Sequence, residues 1–421
     1  MAKSNAQSTL PVSVRGEAVG DFARSVVARA GSTFRYHLST SPSQAISLTM
    51  PARLESYDWK QGAHPIFQMH MPEGQLRAQL LTMFSKTITG FDDIDLLGIV
   101  GPHQLGRVTV GSLDHGELPD TSVRDLLLHD SARGLFEELL TQYAPYSGVS
   151  GVQPKFLLRD ANTSFDRITH RGATHIVKSW GADFPELAAN EFFCMRAARH
   201  AGLRVPDISL SAHGKFLIVE RFDVAEEGFL GFEDLNVLNG WLPHQKYDGA
   251  YEGCARQLKA FLSPHRLAEG LEALFLTVAL SAGVRNGDAH LKNFGVVYED
   301  CSDEADVRIA PAYDIVSTAP YSPQDIMALQ LAGSKNWPKH KLLVDFGRRS
   351  CQLTERRCRE LLEQVGDGMA QARAELVEYQ RHHASFEIIG AKMLGAWELG
   401  TARSLLPPDR TAHVDMGSGK R

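Results

Sequence analysis

Cysteine is scarce in this 421-residue chain. The five present, Cys194, Cys254, Cys301, Cys351 and Cys358, are scattered, and none stands in a C-x-x-C pair. That excludes a disulfide framework and a paired-cysteine zinc or redox motif, and it suits a reducing compartment. No uninterrupted 18-residue apolar run is read, so no membrane span is expected. Residues Met1 to Gln7 lack the apolar core of a signal peptide. These absences predict a cytoplasmic protein with no membrane partner. Charge of one sign is not in excess either: the formal net charge of −6 gives no general attraction to nucleic acid. The 17 histidines include His382-His383 but form neither H-E-x-x-H nor a zinc spacing. His37, His64, His70 and His103 read as surface or structural residues. No G-x-S-x-G elbow and no Walker A segment occur.

What is present is enough apolar chain for two or three domain-sized cores. Val12-Ser13-Val14 and Thr33 to Leu38 carry strand-favouring residues. Met71-Pro72-Glu73-Gly74-Gln75-Leu76-Arg77 is a turn leading into a helical stripe through Leu76, Leu80 and Phe84. Leu96 to Gly101 and Arg107 to Gly111 read as buried strand and loop pieces. A polar helix is expected over roughly 120–143, then a Gly- and Ser-rich stretch ending at Lys155. Phe156 to Arg159 and Thr174 to Lys178 read as a hairpin, Pro185 to Ala201 as a helix stopped by Gly202, and Lys215 to Glu220 as a buried strand. Leu267 to Gly283 has a wide apolar helical face, and Cys358 to Leu376 form another helical stripe. The expected division is 10–115 for an N-terminal α/β subdomain, 145–225 and 226–405 for two lobes, and 406–421 for a polar tail.

Four features, in chain order, fit phosphoryl transfer, which needs positioning and charge neutralisation more than covalent help. The first is Ser150-Gly151-Val152-Gln153-Pro154-Lys155, where glycine lets backbone amides approach phosphate oxygens. Its bland alternative is a linker. The second is Lys178 at a strand end, an ammonium for phosphate oxygens, with Glu186 and Glu191 on the next helix as carboxylates that orient it. Its alternative is a solvated strand-end lysine, and for Glu191 a surface helix charge. The third is Glu220-Arg221-Phe222, a strand exit whose backbone groups are placed to meet an adenine edge, or a plain exit with a surface ion pair. The fourth is Asn286-Gly287-Asp288-Ala289-His290-Leu291-Lys292-Asn293 with Asp314. Here Asp288 is the base for an attacking hydroxyl, and Asn293 and Asp314 are oxygen ligands for Mg2+ against the phosphates of ATP. His290 is expected to brace the loop. Lys292 is placed near the transferring phosphate or is an exposed loop lysine.

These pieces resemble the HipA-type serine/threonine kinases, the toxin halves of bacterial toxin–antitoxin pairs. The resemblance covers roughly residues 10–400. It rests on Met71 to Arg77, Ser150 to Lys155, His175 to Lys178, Asn190-Glu191 with Ala201 to Pro206, Val219 to Asp223, Asn286 to Phe294 and Ala310 to Ile315. It implies an α+β, two-lobed protein-kinase-like fold with an N-terminal α/β subdomain and a largely helical C-terminal lobe. It also implies Asp288 as base, Asn293 and Asp314 as magnesium ligands, Lys178 on the phosphates, Glu220 to Phe222 at the adenine, and the loop ending at Lys155 over the nucleotide. The implied substrate is an aminoacyl-tRNA synthetase, and the implied outcome is growth arrest. The implied partner is a small helix-turn-helix antitoxin of HipB type, with operator DNA reached only through it.

Members of that family phosphorylate a serine of their own Gly-rich loop. The usual position, three residues before Gly151, is Gly148 here, so Ser150 is the first expectation and Ser147 the second. Two other readings stay open: a small-molecule phosphotransferase of aminoglycoside- or choline-kinase type, and an inactive co-repressor scaffold for a DNA-binding antitoxin.

Overall fold

The structure is a computed structural model that describes residues 9–25, 31–84, 91–112, 119–129, 134–160, 172–226 and 228–407. The chain divides into two compact units, one of Met1–Ser179, Ser211–Gln245 and Val296–Val307, the other of Trp180–Leu210, Lys246–Gly295 and Arg308–Arg421. This is not the contiguous division expected from the sequence. The helix Leu187–His200 belongs to the second unit, where it packs on the helix Glu355–His382, and Gly368 makes room for it.

The first unit begins with an antiparallel sheet in the order Tyr57–Trp59, Ser32–Tyr36, Glu17–Arg24, Leu10–Val14, Val108–Val110. Its first hairpin turns at Arg15 and Gly16, both at positive φ (50° and 83°), the backbone a two-residue turn requires. Val12 and Val14 are buried with Ser13 between them only partly covered, the period of a strand with one face on a core. Phe22 and Phe34 meet Phe67 at ring distances of 4.5 and 5.6 Å. The helix Gly74–Phe84 stands where its stripe predicted it.

Leu96 to Gly101 is not a strand. Leu96 to Val100 lie in the helix Asp93–Val100, which starts where Asp92 caps the amides of Ile94 and Asp95, and Gly101 is its C-cap. A short apolar run does not distinguish strand from buried helix, and here the cap decides. The expected helix over 120–143 is also corrected. Asp120–Thr121 is a strand, Val123–Leu128 and Leu135–Tyr143 are separate helices, and residues 130–133 lie outside the described residues.

The unit's second sheet runs Asp120–Thr121, Lys155–Asp160, His175–Lys178, Leu217–Glu220. The expected hairpin of Lys155–Asp160 with His175–Lys178 is present. The helix Leu135–Tyr143 covers one face, with Phe136 5.5 Å from Phe156 and 5.8 Å from Phe216.

The second unit is built around the helix Leu267–Val284. It runs one residue past the expected stop at Gly283, and Arg285 caps it in the left-handed region at φ 58°. With the turn before it, this segment is long and apolar enough to cross a membrane. The sequence reading missed that because Glu269, Glu272 and Thr277 interrupt the apolar run. Leu271 through Val284 are mostly buried inside the unit, which explains apolarity on every side. Glu355–His382 lays Cys358, Leu361, Leu362, Val365, Met369, Ala372 and Leu376 on this core, the stripe read from the sequence. The helix Glu387–Gly400 crosses it where Gly400 meets the carbonyl of Gly283. Of the expected polar tail, residues 408–421 lie outside the described residues.

Candidate active site

The candidate residues fall into two groups, one on each unit. In the first unit the Gly-rich stretch is anchored at its start. Gly148 donates its amide to the His103 carbonyl at 3.2 Å, and a Cβ there would sit 2.9 Å from the carbonyl oxygen of Val100. The position thus has no room for a serine side chain in this backbone. Ser147 is fully buried; its Oγ donates to the Tyr143 carbonyl at 2.8 Å and accepts from the Leu157 amide at 2.9 Å. It is a structural hydroxyl in this conformation, which corrects its place as a candidate phosphoacceptor. Ser150 is partly exposed and Val152 is exposed. Gly151 has φ 116°, a conformation open to glycine. The Lys155 ammonium folds back there to donate to the Ser150 carbonyl at 3.2 Å. Gln153 and Pro154 complete the loop, and the Pro154 carbonyl accepts from the Ser179 amide.

Lys155 and Lys178 are direct partners across the hairpin, so their side chains share one face of the sheet. They are 5% and 6% exposed. The reading of Lys178 as a solvated strand-end lysine therefore fails. Two covered lysines on one sheet face concentrate positive charge there.

The strand exit departs from expectation. Arg221 is buried and bidentate to Asp223 (Nε–Oδ1 3.0 Å, Nη2–Oδ2 2.6 Å), its Nη1 donates to the Ala173 carbonyl at 2.8 Å, and its amide donates to the Thr174 carbonyl. With side chain and amide both committed, Arg221 is a structural residue and does not offer its N–H to an adenine. The guanidinium holds the fully buried Asp223 carboxyl below its usual range against the burial penalty. Phe222 packs edge-on against Phe232, and Glu220 is partly exposed at the strand end.

In the second unit the loop after the core helix is fixed atom by atom. The Asp288 amide is held by Asn286 Oδ1 at 3.0 Å, and the Gly287 amide by Thr318 Oγ1 at 2.7 Å. Tyr251 donates to the Ala289 carbonyl at 3.0 Å and Tyr313 to the Lys292 carbonyl at 2.6 Å. Asn293 Nδ2 donates to the Asp288 carbonyl at 2.9 Å and reaches the Asp314 carbonyl at 3.4 Å. The loop thus brings Asp288, Asn293 and the Asp314 backbone together. Asp314 itself stands at φ 57°, rare for a non-glycine residue, so its surroundings hold it there.

With its nitrogen tied to carbonyls, Asn293 leaves Oδ1 for a cation. One amide oxygen and the Asp314 carboxylate form a hard donor set of the kind magnesium takes when phosphates and water supply the rest. Among the described residues no cluster of three or more His, Cys, Asp or Glu could hold a metal. The donors fit an ion that arrives with a nucleotide rather than a free-standing site.

Asp288 is partly buried. Burial, and then the charges of Asp314 and Asp325, push its carboxyl above the usual range, while the Tyr247 hydroxyl and Lys246 pull the other way. That direction suits a proton acceptor. His290 is buried; burial and the charge of Lys246 bring it down to about 3, so it is a neutral imidazole, 3.9 Å from Asp288 Oδ1. Its ring packs edge-on against Tyr247, 5.1 Å between centres. Lys292 is 9% exposed, which excludes the exposed-lysine reading.

Two features, Tyr247 and Asn190, were not read from the sequence as parts of a site, whereas Glu186 and Glu191 were. Tyr247 donates to Asp288 Oδ1 at 2.7 Å. Asn190, fully buried, exchanges two 2.8 Å hydrogen bonds with the backbone of Ser317, three residues beyond Asp314. Glu186 and Glu191 are 6% and 1% exposed, so Glu191 is not a surface helix charge.

Residues 147–373 match the HipA-like C-terminal domain and residues 10–111 the HipA N-terminal domain. The chain belongs to the HipA family. Among solved structures it is similar to the HipA of a Shewanella oneidensis complex of HipA, HipB and operator DNA, with a TM-score of 0.66 at 19% identity, over 96% of this chain and 99% of that one. That likeness shows the fold: the HipA-type, kinase-like α+β architecture expected above. Two proteins of Sinorhizobium fredii, Y4dM and Y4mE, whose names carry a provisional kinase label, are each 28% identical. The matches cover 64% and 66% of this chain and 66% and 69% of theirs, so the chain spans about two thirds of these relatives. A similarly labelled Haemophilus influenzae protein is 29% identical over 41% of this chain and 53% of its own.

Proposed function

We propose that this HipA-family chain is an ATP-dependent serine/threonine protein kinase and the toxin of a toxin–antitoxin pair. One observation carries the reading. Asn293 is pinned by its nitrogen to the carbonyls of Asp288 and Asp314, which leaves its amide oxygen available to a cation in the loop that carries Asp288. A turn or a scaffold has no need of that arrangement.

In the proposed reaction the acceptor hydroxyl gives its proton to Asp288 as its oxygen bonds to the γ-phosphorus. The bond from that phosphorus to the β,γ-bridging oxygen breaks, and ADP leaves. Asn293 Oδ1 and the Asp314 carboxylate would hold Mg2+, which neutralises phosphate charge when bound. Lys178, with Lys155 beside it, holds phosphate oxygens, and the Ser150–Lys155 loop covers the nucleotide with its amides. Neutral His290 adds no positive charge next to the base and keeps the loop rigid.

The substrate we propose is a translation component of aminoacyl-tRNA synthetase type, with growth arrest as the outcome. The partner is a helix-turn-helix antitoxin of HipB type, through which the pair reaches operator DNA. Self-phosphorylation, where it occurs, falls on Ser150, the loop serine open to solvent.

The test uses the purified chain with Mg2+, [γ-32P]ATP and a bacterial lysate. One or a few proteins should be labelled on serine or threonine, and Asp288→Asn should abolish labelling with the far-UV CD spectrum unchanged. Labelling of small molecules alone would favour the aminoglycoside- or choline-kinase type. No labelling by the wild type would favour the scaffold.

A further inference from the structure

A base carboxylate has two oxygens, and the torsion that sets them is broad for aspartate, so something must fix which one meets the acceptor. Here Tyr247, 41 residues earlier in the chain, donates its hydroxyl to Asp288 Oδ1 at 2.7 Å. Among the described residues no other side chain donates a hydrogen bond to that carboxylate. The residue is 40% exposed; contacts fix its backbone, and one side of its ring is covered. Lys335 Nζ donates to the Tyr247 carbonyl at 3.2 Å, the Leu291 amide donates to the neighbouring Lys246 carbonyl at 3.1 Å, and the His290 ring meets the phenol edge-on at 5.1 Å. The Lys246 ammonium stands 5.3 Å from the ring centre. The catalytic loop thus supplies two of the contacts that fix the group touching its own base.

We propose that Tyr247 is a positioning residue for phosphoryl transfer: by occupying Oδ1 it sets the carboxylate plane so that Oδ2 is presented to the acceptor hydroxyl. This rests on the reading of Asp288 as the base. The phenol keeps its proton throughout, and only Oδ2 gains one. A phenol that swung out to make way for substrate would give up its hydrogen bond to Asp288 and its edge-on contact with the buried His290 ring. The neutral state of buried His290 fits this role, since a cation there would compete with the phenol for Oδ1.

The experiment compares the wild type, Tyr247→Phe and Asp288→Asn in 32P transfer from ATP to a fixed bacterial lysate, with ATP concentration varied. Phenylalanine keeps the ring contact with His290 and removes only the hydroxyl. The apparent kcat should fall about 10- to 100-fold, the range for a mispositioned reacting group. The KM for ATP and the affinity for a fluorescent ATP analogue should stay within about twofold, because phosphate contacts are untouched. A merely structural role would move nucleotide affinity and thermal unfolding together, and that result overturns the proposal. So does an unchanged kcat. A raised kcat also overturns it and would mark the phenol as an occupant of the acceptor's place. If Asp288→Asn retains transfer, the base assignment itself fails, and this inference with it. If Asp288→Asn is dead and Tyr247→Phe is normal, only this inference fails.

Discussion

Replacing Asn190 with alanine removes two buried hydrogen bonds at once. Asn190 Nδ2 donates to the Ser317 carbonyl and Oδ1 accepts from the Ser317 amide, both at 2.8 Å, with Asn190 and Ser317 fully buried. Alanine leaves that amide and carbonyl without their partner. A buried polar group left unsatisfied costs about 1–3 kcal/mol, so two cost about 2–6 kcal/mol. Alanine is a better helix former than asparagine and returns up to about 0.7 kcal/mol. The net expectation is a loss of about 1–5 kcal/mol, a large share of a stability of order 5–15 kcal/mol. Two measurements check it. The unfolding free energy from urea titration should fall by that amount, with the midpoint lowered in proportion, and hydrogen exchange at the Ser317 amide should quicken. The catalytic consequence follows from position. Ser317 also donates to the Val284 carbonyl, and its neighbour Thr318 holds the Gly287 amide, so the clamp ties Asp314 to the loop that carries Asp288. Phosphate transfer should drop even under conditions where Asn190→Ala stays folded. A variant within about 0.5 kcal/mol of wild type, with Ser317 exchange unchanged, would refute the reasoning, because surface substitutions change stability that little.

Gly400→Ala is expected to destabilise. Helix propensity alone predicts a gain of about 1 kcal/mol, but the new Cβ would lie 1.8 Å from the Gly283 carbonyl oxygen, and backbone cannot turn away. A raised thermal midpoint would show that the helices separate without penalty. Glu375, bidentate to Arg196 and bonded to His200 at 2.7 Å, has its carboxyl held below the usual range, first by the Arg196 hydrogen bond and also by that of His200. Its folded value lies below its unfolded value. Its stabilisation is therefore present above the ordinary glutamate range and lost as pH falls through the lowered value. The gap in urea midpoint between wild type and Glu375→Gln should be open at pH 7 and narrow below about pH 4. A gap unchanged with pH would rule this out.

Much of the site was legible because it is local. Asp288 and Asn293 stand five residues apart in one loop, and a short hairpin displays Lys178. Where local pattern was ambiguous the reading failed. Leu96 to Val100 read as strand because an apolar run has no period, and only the Asp92 cap marks its helix. Arg221 read as part of an adenine contact because its strand exit was visible and its partners Asp223 and Ala173 were not.

The sequence by itself determined the element types with strong periodicity, the candidate site residues of the Asp288 loop and the family, since each is written in spacings of a few residues. Tertiary structure alone decided that Ser147 is sealed in, that Lys155 and Lys178 are paired across a hairpin, that Asn190 clamps an irregular segment 127 residues away and that a tyrosine 41 residues upstream holds the Asp288 carboxylate. The physical reason is range. Backbone periodicity and turn chemistry act over one or two turns of chain. A buried hydrogen bond depends on which distant groups the packed core brings within 3 Å and hides from water, and no local spacing encodes that.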